Sequence, residues 1–127
     1  MVDYDKTMEL GRKLLDKHGL ADWKFDVVNL QNTAMFGARA LSDRWMGYCS
    51  WSTKTIYVDW HPRQNTVRQT ILHEIAHALT PGDHDHGREW LNKASDIGCT
   101  FVHLLPYFEM ARRRETGTEG AKKGDRD

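Results

Sequence analysis

The sequence is organised around His73-Glu74-Ile75-Ala76-His77, which is followed nine residues later by His86-Gly87-Arg88-Glu89-Trp90. Two histidines four residues apart on a helix project from one face, close enough together to bind one metal ion. A glutamate directly after the first histidine lies beside that ion, where it can take a proton from a bound water. The pattern therefore predicts a metal site with an adjacent general base.

The residues around this motif predict a helix with clear limits. Asn65 or Thr66 can cap its start, and Thr66 together with Gln69 has the form of a capping box. Pro81-Gly82 ends the helix and turns the chain. Its apolar band consists of Val67, Ile71, Leu72, Ile75, Ala76 and Leu79.

A third ligand must reach the two helical histidines from another direction to make a tetrahedral site. The segment after the turn offers four candidates, namely Asp83, His84, Asp85 and His86. The spacing H-E-x-x-H-x-x-G-x-x-H would put its glycine on Thr80 and its last histidine on Asp83, so that scheme is not met. Asp83 as an oxygen ligand and His84 as a nitrogen ligand both stay open. His86 is favoured because His86-Gly87 begins a second helical pattern that runs to Ile97.

Three stretches carry a family resemblance. The first is I-L-H-E-I-A-H-A-L at 71–79 with its Pro-Gly turn and the following H-G-R-E-W at 86–90. The second is the strand pair M-G-Y-C-S-W-S-T-K-T-I-Y-V at 46–58, and the third is A-S-D-I-G-C at 94–99. From Trp23 to Cys99, the chain resembles the SprT-like metallopeptidases.

The resemblance implies a zincin-like fold and a zinc-dependent hydrolase that cleaves peptide bonds. Carried over position by position, His73, His77 and His86 hold the zinc ion and Glu74 is the catalytic base. A protein or peptide substrate, with DNA-associated proteins as one class, is implied as well. The hairpin before the active helix would bind the substrate as an added strand, and a purely structural hairpin is the alternative. Only two cysteines are present, so the zinc ribbon of many relatives is not expected.

Composition limits the class of protein. A chain of 127 residues with 39% hydrophobic content is expected to form one domain with a packed core. A formal net charge of zero argues against a surface built wholly for nucleic acid. Cys49 and Cys99 are expected to be reduced, buried thiols. No long apolar run occurs near the start, so a cytoplasmic protein without a signal peptide or membrane span is predicted. The chain is also expected to be a monomer.

Hydrophobic periodicity predicts an α+β fold. Helical spacing near the start predicts an N-terminal helix that Gly19 ends, and alternation after Trp23 predicts a strand ending near Leu30. Two further strands, at 44–51 and 55–60, flank a turn at Ser52-Thr53-Lys54. The predicted architecture is a small, mostly antiparallel sheet of about three strands, followed by the helix that carries H-E-x-x-H and by a short helix.

The remaining sequence predicts few further chemical groups. Trp90 is interpreted as a packing anchor that fixes His86, and Asp83, Asp85, Glu89 and Asp96 are candidates to orient a ligand histidine. Tyr48, Tyr57 and Arg88 are residue types that could stabilise an oxyanion. His61 is interpreted as a capping or surface histidine. Phe101 to Met110, interrupted by Pro106, predicts an extended piece followed by a helical turn, and His103 in it is interpreted as an ordinary packed histidine.

The predicted domain spans 1–114, and residues 115–127 are expected to form a disordered polar tail. Arg112-Arg113-Arg114 and Lys122-Lys123 form basic clusters at this end of the chain. A solvated segment and a weak, salt-sensitive contact with DNA both stay open for them.

Three neutral imidazoles and an open fourth position are typical of a catalytic zinc. The predicted function is a zinc metallopeptidase in which Glu74 is the general base. Two other classes stay open. A three-histidine metal-dependent nuclease would not need Glu74, and a zinc-stabilised binding module would bind the ion without turnover.

Overall fold

The computed structural model describes residues 4–28, 47–59, 64–83 and 85–116. Within these ranges the chain is α+β, with four helices and one three-stranded sheet. The elements in chain order are α1 (Tyr4–Lys17), β1 (Lys24–Val28), β2 (Gly47–Ser50), β3 (Thr55–Asp59), α2 (Gln64–Leu79), α3 (Arg88–Ile97) and α4 (Phe101–Thr116).

Several expectations fall outside the described residues. They concern 29–46, including the start of the predicted strand at 44–46, then Trp60, His61 and Pro62, then His84, and finally the tail with Lys122-Lys123. Among the helices of the described ranges, none combines the length and the apolar character needed to cross a membrane.

The sheet is mixed, with β3 at its centre. The hairpin of β2 and β3 is antiparallel, as predicted, and places Cys49 opposite Ile56. β1 pairs with the other side of β3 in parallel, with Phe25 opposite Ile56 and Val27 opposite Val58. The expectation of a mostly antiparallel sheet is corrected accordingly, because β1 is hydrogen-bonded to the central strand rather than to its successor in sequence. These five side chains are buried on one face, which packs against α1 and α2.

The N-terminal helix forms as predicted and lies very close to β1. Gly19 follows its end with a φ of +81°, the left-handed region that favours glycine. A Cβ on Gly11 would stand 2.2 Å from the ring of Phe25, so only glycine allows this approach of helix to strand. The contact closes one side of the core.

The helix that carries H-E-x-x-H begins two or three residues earlier than predicted, since a cap at Asn65 or Thr66 would make 66 or 67 its first residue. It starts at Gln64, so Asn65 and Thr66 lie inside it rather than capping it. The expected capping box does not form, because the Gln69 Oε1 accepts the backbone N–H of Thr100, at 3.0 Å. Gln69 thus connects α2 to the start of α4. At the other end the turn is as predicted, since the Asp83 N–H donates to the Thr80 carbonyl across Pro81-Gly82, at 2.9 Å.

The largest difference from the sequence prediction is α4, a continuous helix where an extended piece was expected. The Thr100 Oγ1 caps its start by accepting the N–H of His103, at 3.2 Å. Pro106 lies inside the helix and cannot donate to the Val102 carbonyl. Val102 is 81% exposed, so the proline lies opposite a side of the helix that faces water, where a lost backbone hydrogen bond costs less than in the core. The helix ends at Thr116, two residues into the predicted tail.

Candidate metal site

Three imidazoles from two segments meet at one point. The Nε2 atom of His86 lies 3.1 Å from Nε2 of His73 and 3.2 Å from Nε2 of His77. One ligand atom from each of the three residues lies within 4.8 Å of the others. The structure therefore brings together the three histidines predicted from the sequence.

These distances fit a single bound metal ion. In tetrahedral zinc sites the Zn–N bonds are about 2.0–2.1 Å long, which places two nitrogens of one ion about 3.3 Å apart. The observed separations of 3.1 and 3.2 Å are close to this value. Three nitrogen donors also match the ligand preference of zinc and neighbouring transition metals. The cluster could hold one such ion.

The cluster is buried, and burial favours the neutral form of His73. His73, His77 and His86 are 5%, 1% and 2% exposed, respectively. Burial, reinforced by the adjacent imidazoles of His77, His86 and His103, holds the pKa of His73 well below its ordinary value. A neutral imidazole is the form that binds a metal.

We expect the metal-free protein to lose stability as the pH falls below about 6.5, the ordinary pKa of histidine. Because the pKa of His73 is lowered in the folded chain, the unfolded chain binds more protons just below that pH, and the free energy of unfolding decreases. Each histidine that stays neutral in the folded chain lowers the free energy of unfolding by about 1.4 kcal/mol for every pH unit below this value. Burial lowers the pKa of His103 as well, so its effect has the same sign. Urea unfolding with a chelator present, at a series of pH values, measures this; stability that rises on acidification would contradict it.

Trp90 supports all three histidines. Its ring centroid lies 4.7 Å from that of His73, 5.2 Å from that of His77 and 4.6 Å from that of His86. It is fully buried, and its indole N–H donates to the backbone carbonyl of His73, at 3.3 Å. Trp51 makes the corresponding bond to the carbonyl of His77, at 3.2 Å. Trp90 is therefore the packing anchor that the sequence suggested, for His73 and His77 as well as for His86.

Asp83 organises the loop that delivers His86. Its Oδ1 accepts the backbone N–H groups of Asp85, at 3.2 Å, and Gly87, at 3.4 Å. Its Oδ2 accepts the N–H of Trp90, in the first turn of α3, at 3.0 Å. A Cβ on Gly87 would stand 2.8 Å from that Oδ2, which gives the glycine after His86 a physical reason. The carboxylate thus caps α3, and these bonds account for its position without a metal contact.

We expect Asp83→Ala to lower the free energy of unfolding by about 1–2 kcal/mol, because a helix cap and two loop hydrogen bonds are lost. The variant is nevertheless expected to bind one zinc ion per chain. Chemical unfolding and metal analysis of the same samples measure both quantities. Loss of stoichiometric zinc from a variant that stays folded would mean that Asp83 is itself a ligand.

The other acidic candidates for orienting a histidine differ in position. Asp85 lies nearest to the cluster, with its Oδ1 3.8 Å from Nδ1 of His86, and its Oδ2 accepts a bond from Arg114, at 3.3 Å. Glu89 and Asp96 are exposed on α3. Asp85 is therefore the carboxylate that connects the His86 loop to α4.

Glu74 is buried between α2 and the neighbouring strand. It is 1% exposed, and it precedes His77 by three residues, so the two share a face of α2. A Cβ on Gly47 of β2 would stand 2.8 Å from the Glu74 Oε2. Burial and, secondarily, the charge of Glu74 raise the pKa of the Cys49 thiol on the same strand. The carboxylate therefore lies where α2 meets β2.

Both cysteines are free, buried thiols, as expected. Burial raises the pKa of Cys99 to about 12, so this thiol stays protonated at neutral pH. Neither thiol is part of the candidate metal site, which consists of His73, His77 and His86.

The candidates for oxyanion stabilisation have other contacts. Arg88 is exposed and pairs with Glu115, with Nε 2.6 Å from Oε2. Tyr48 and Tyr57 are opposite each other in the hairpin, with ring centroids 6.3 Å apart. None of these contacts is to a histidine of the cluster.

Two residues of α4 contact the cluster and were missed in the sequence. Nε2 of His103 lies 3.2 Å from Nδ1 of His73. The ring centroid of Tyr107 lies 4.4 Å from that of His86 and 5.5 Å from that of His73. The available signal was their spacing of four residues, which places both on one face of a helix.

Fold and site together define a small α+β domain with a buried group of three histidines that could hold a metal ion. Comparison with protein-family models, with curated proteins and with solved structures finds no match for this chain.

Proposed function

We propose that this protein is a zinc-dependent metallopeptidase in which His73, His77 and His86 hold the ion and Glu74 is the general base. The observation that carries the proposal is the convergence of three buried Nε2 atoms, with a buried carboxylate on the same helix directly after the first of them. A nuclease built on three histidines would give that carboxylate no role. The resemblance to SprT-like metallopeptidases supports the same choice.

His73, His77 and His86 would hold the zinc ion, which when bound would act as a Lewis acid and lower the pKa of a water ligand to about 7. Glu74 accepts the proton of the attacking water as the water adds to the peptide carbonyl. It then donates that proton to the amine nitrogen as the C–N bond breaks, so the carboxylate is regenerated. Trp90 and the Asp83 loop hold the histidine rings in place during these steps.

The sheet suggests how a peptide would bind. In the described part of the chain β2 is at an edge of the sheet, and its Gly47 contacts Glu74. An extended peptide paired along β2 would pass the carboxylate, and backbone hydrogen bonds would bind it with little regard for its sequence. We therefore propose unfolded or extended protein segments as the substrate class. DNA-associated proteins are the narrower proposal, which rests on the resemblance alone.

The basic residues near the end of α4 bear on the proposed DNA contact. Arg114 is bonded to Asp85, while Arg112 is exposed. An electrostatic contact through this cluster would be weak and would decrease steeply with salt.

The experiment that tests the function compares protein and RNA substrates. An unfolded protein and a DNA-binding protein are incubated with the zinc-loaded chain, with and without single-stranded DNA, and a structured RNA is incubated in parallel. We expect protein cleavage that a chelator abolishes and added zinc restores, and intact RNA. RNA cleavage would instead indicate the nuclease, and zinc binding without any turnover would indicate the binding module.

A further inference from the structure

His103 is one of the two side chains of α4 that touch the histidine cluster, and it meets His73 nitrogen to nitrogen. Its Nε2 lies 3.2 Å from Nδ1 of His73, and the two rings are nearly perpendicular, at 87°. The two residues are thirty positions apart in sequence, so nothing local imposes this contact. The nitrogen that His103 meets is the one that does not face His77 and His86.

The chemistry of imidazole assigns a direction to this hydrogen bond. A neutral imidazole has one N–H and one lone pair, so a ring that binds a metal through Nε2 carries its proton on Nδ1. With a metal on Nε2, His73 would therefore donate from Nδ1 to Nε2 of His103. The two nitrogens of a ring point away from each other, so His103 lies on the side of His73 opposite to His86. His103 is thus not a fourth ligand.

Hydrogen bonds connect the backbone near His103, on α4, to α2, the helix that carries His73. The Gln69 side chain, one turn before His73, accepts the N–H of Thr100, at 3.0 Å. The Thr100 hydroxyl in turn accepts the N–H of His103, at 3.2 Å. The ring of His103 in turn contacts the ring of His73. These bonds form a closed path from α2 to α4 and back, and such a path holds the acceptor in one place.

We propose that His103 is a positioning residue that selects the Nε2-binding tautomer of His73 and fixes its ring toward the metal. The inference rests on the proposed metal site and deepens it. Partners of this kind orient the ligand, and their loss commonly weakens metal binding by about 10–100-fold.

The test separates a hydrogen-bond acceptor from mere packing. Zinc affinity is measured by competition with a chelating dye for the wild type, His103→Phe and His103→Gln. Phenylalanine fills the site without an acceptor, so we expect its affinity to fall by about 10–100-fold. Glutamine keeps an acceptor oxygen, so the zinc affinity of His103→Gln is expected to lie close to that of the wild type. The visible spectrum of the Co²⁺-loaded proteins should shift for His103→Phe and remain near the wild type for His103→Gln.

The control is His18→Phe, which changes a half-buried histidine in the turn after α1 and should leave zinc affinity unchanged. Wild-type affinity in His103→Phe, or an equal loss in both His103 variants, would overturn the positioning role while leaving the metal site intact. A wild type that binds no zinc would overturn the metal site, and the role of His103 with it.

Discussion

Glu74→Gln is expected to lower the rate of peptide hydrolysis by about 10²–10⁴-fold, the usual contribution of a general base. The amide has nearly the same shape as the carboxylate, so its packing against Gly47 is retained. It cannot accept the proton of the attacking water, and this step is lost. Zinc binding is expected to stay within a few-fold of the wild type, because no ligand changes. Initial rates on an unfolded protein substrate, together with the zinc content of the same samples, measure the two quantities.

Glu89→Gln is the matched control for this experiment. Glu89 is an exposed glutamate on α3, so the same chemical change there should leave the rate unaltered. Full activity in Glu74→Gln would refute the proton-transfer role assigned to this carboxylate.

His86→Ala is expected to abolish stoichiometric zinc binding. Its Nε2 is the atom that approaches both other histidines, at 3.1 and 3.2 Å, so its removal leaves only the pair on α2. The loss of affinity should exceed the 10–100-fold typical of a residue that merely supports a ligand. The wild type should gain about 4 kcal/mol of stability at a free zinc concentration 1,000 times its Kd, and this gain should vanish in the variant. Thermal unfolding at a series of zinc concentrations measures the difference.

His84→Ala is the comparison that identifies the third ligand. It removes an imidazole two positions away in the same segment, and we assign that side chain no part in metal binding. It should therefore keep the zinc-dependent gain in stability. If His84→Ala lost the gain while His86→Ala kept it, the third ligand would be His84.

The parts of the site that could be predicted from sequence are the local ones. His73 and His77 share a helical face through their spacing alone, and Pro81-Gly82 reverses the chain within a few residues. His86 could be selected because a helical pattern begins directly after it. Asp83 shows the limit of such reasoning. Its type and spacing allowed a ligand, whereas its oxygens accept three backbone N–H groups of the loop and of α3.

The parts that could not be predicted depend on contacts across long stretches of chain. The parallel pairing of β1 with β3 is one, since sequence alternation shows strands but not their partners. α4 is another. Its buried positions Leu104 and Ala111, with the partly buried Tyr107 and Phe108, do have helical spacing. Pro106 led to the prediction of a break instead. The cost of a proline in a helix depends on whether the carbonyl that loses its hydrogen bond reaches water, and the sequence does not show this. With α4 misread, neither His103 nor Tyr107 could be placed at the cluster.

The most direct test is X-ray absorption at the zinc edge of the zinc-loaded protein. One zinc ion per chain is expected, with three imidazole nitrogens at about 2.0–2.1 Å and one oxygen from solvent. Protein that takes up no stoichiometric zinc, or an ion with fewer than three imidazoles around it, would contradict the metal centre on which the proposed peptidase depends.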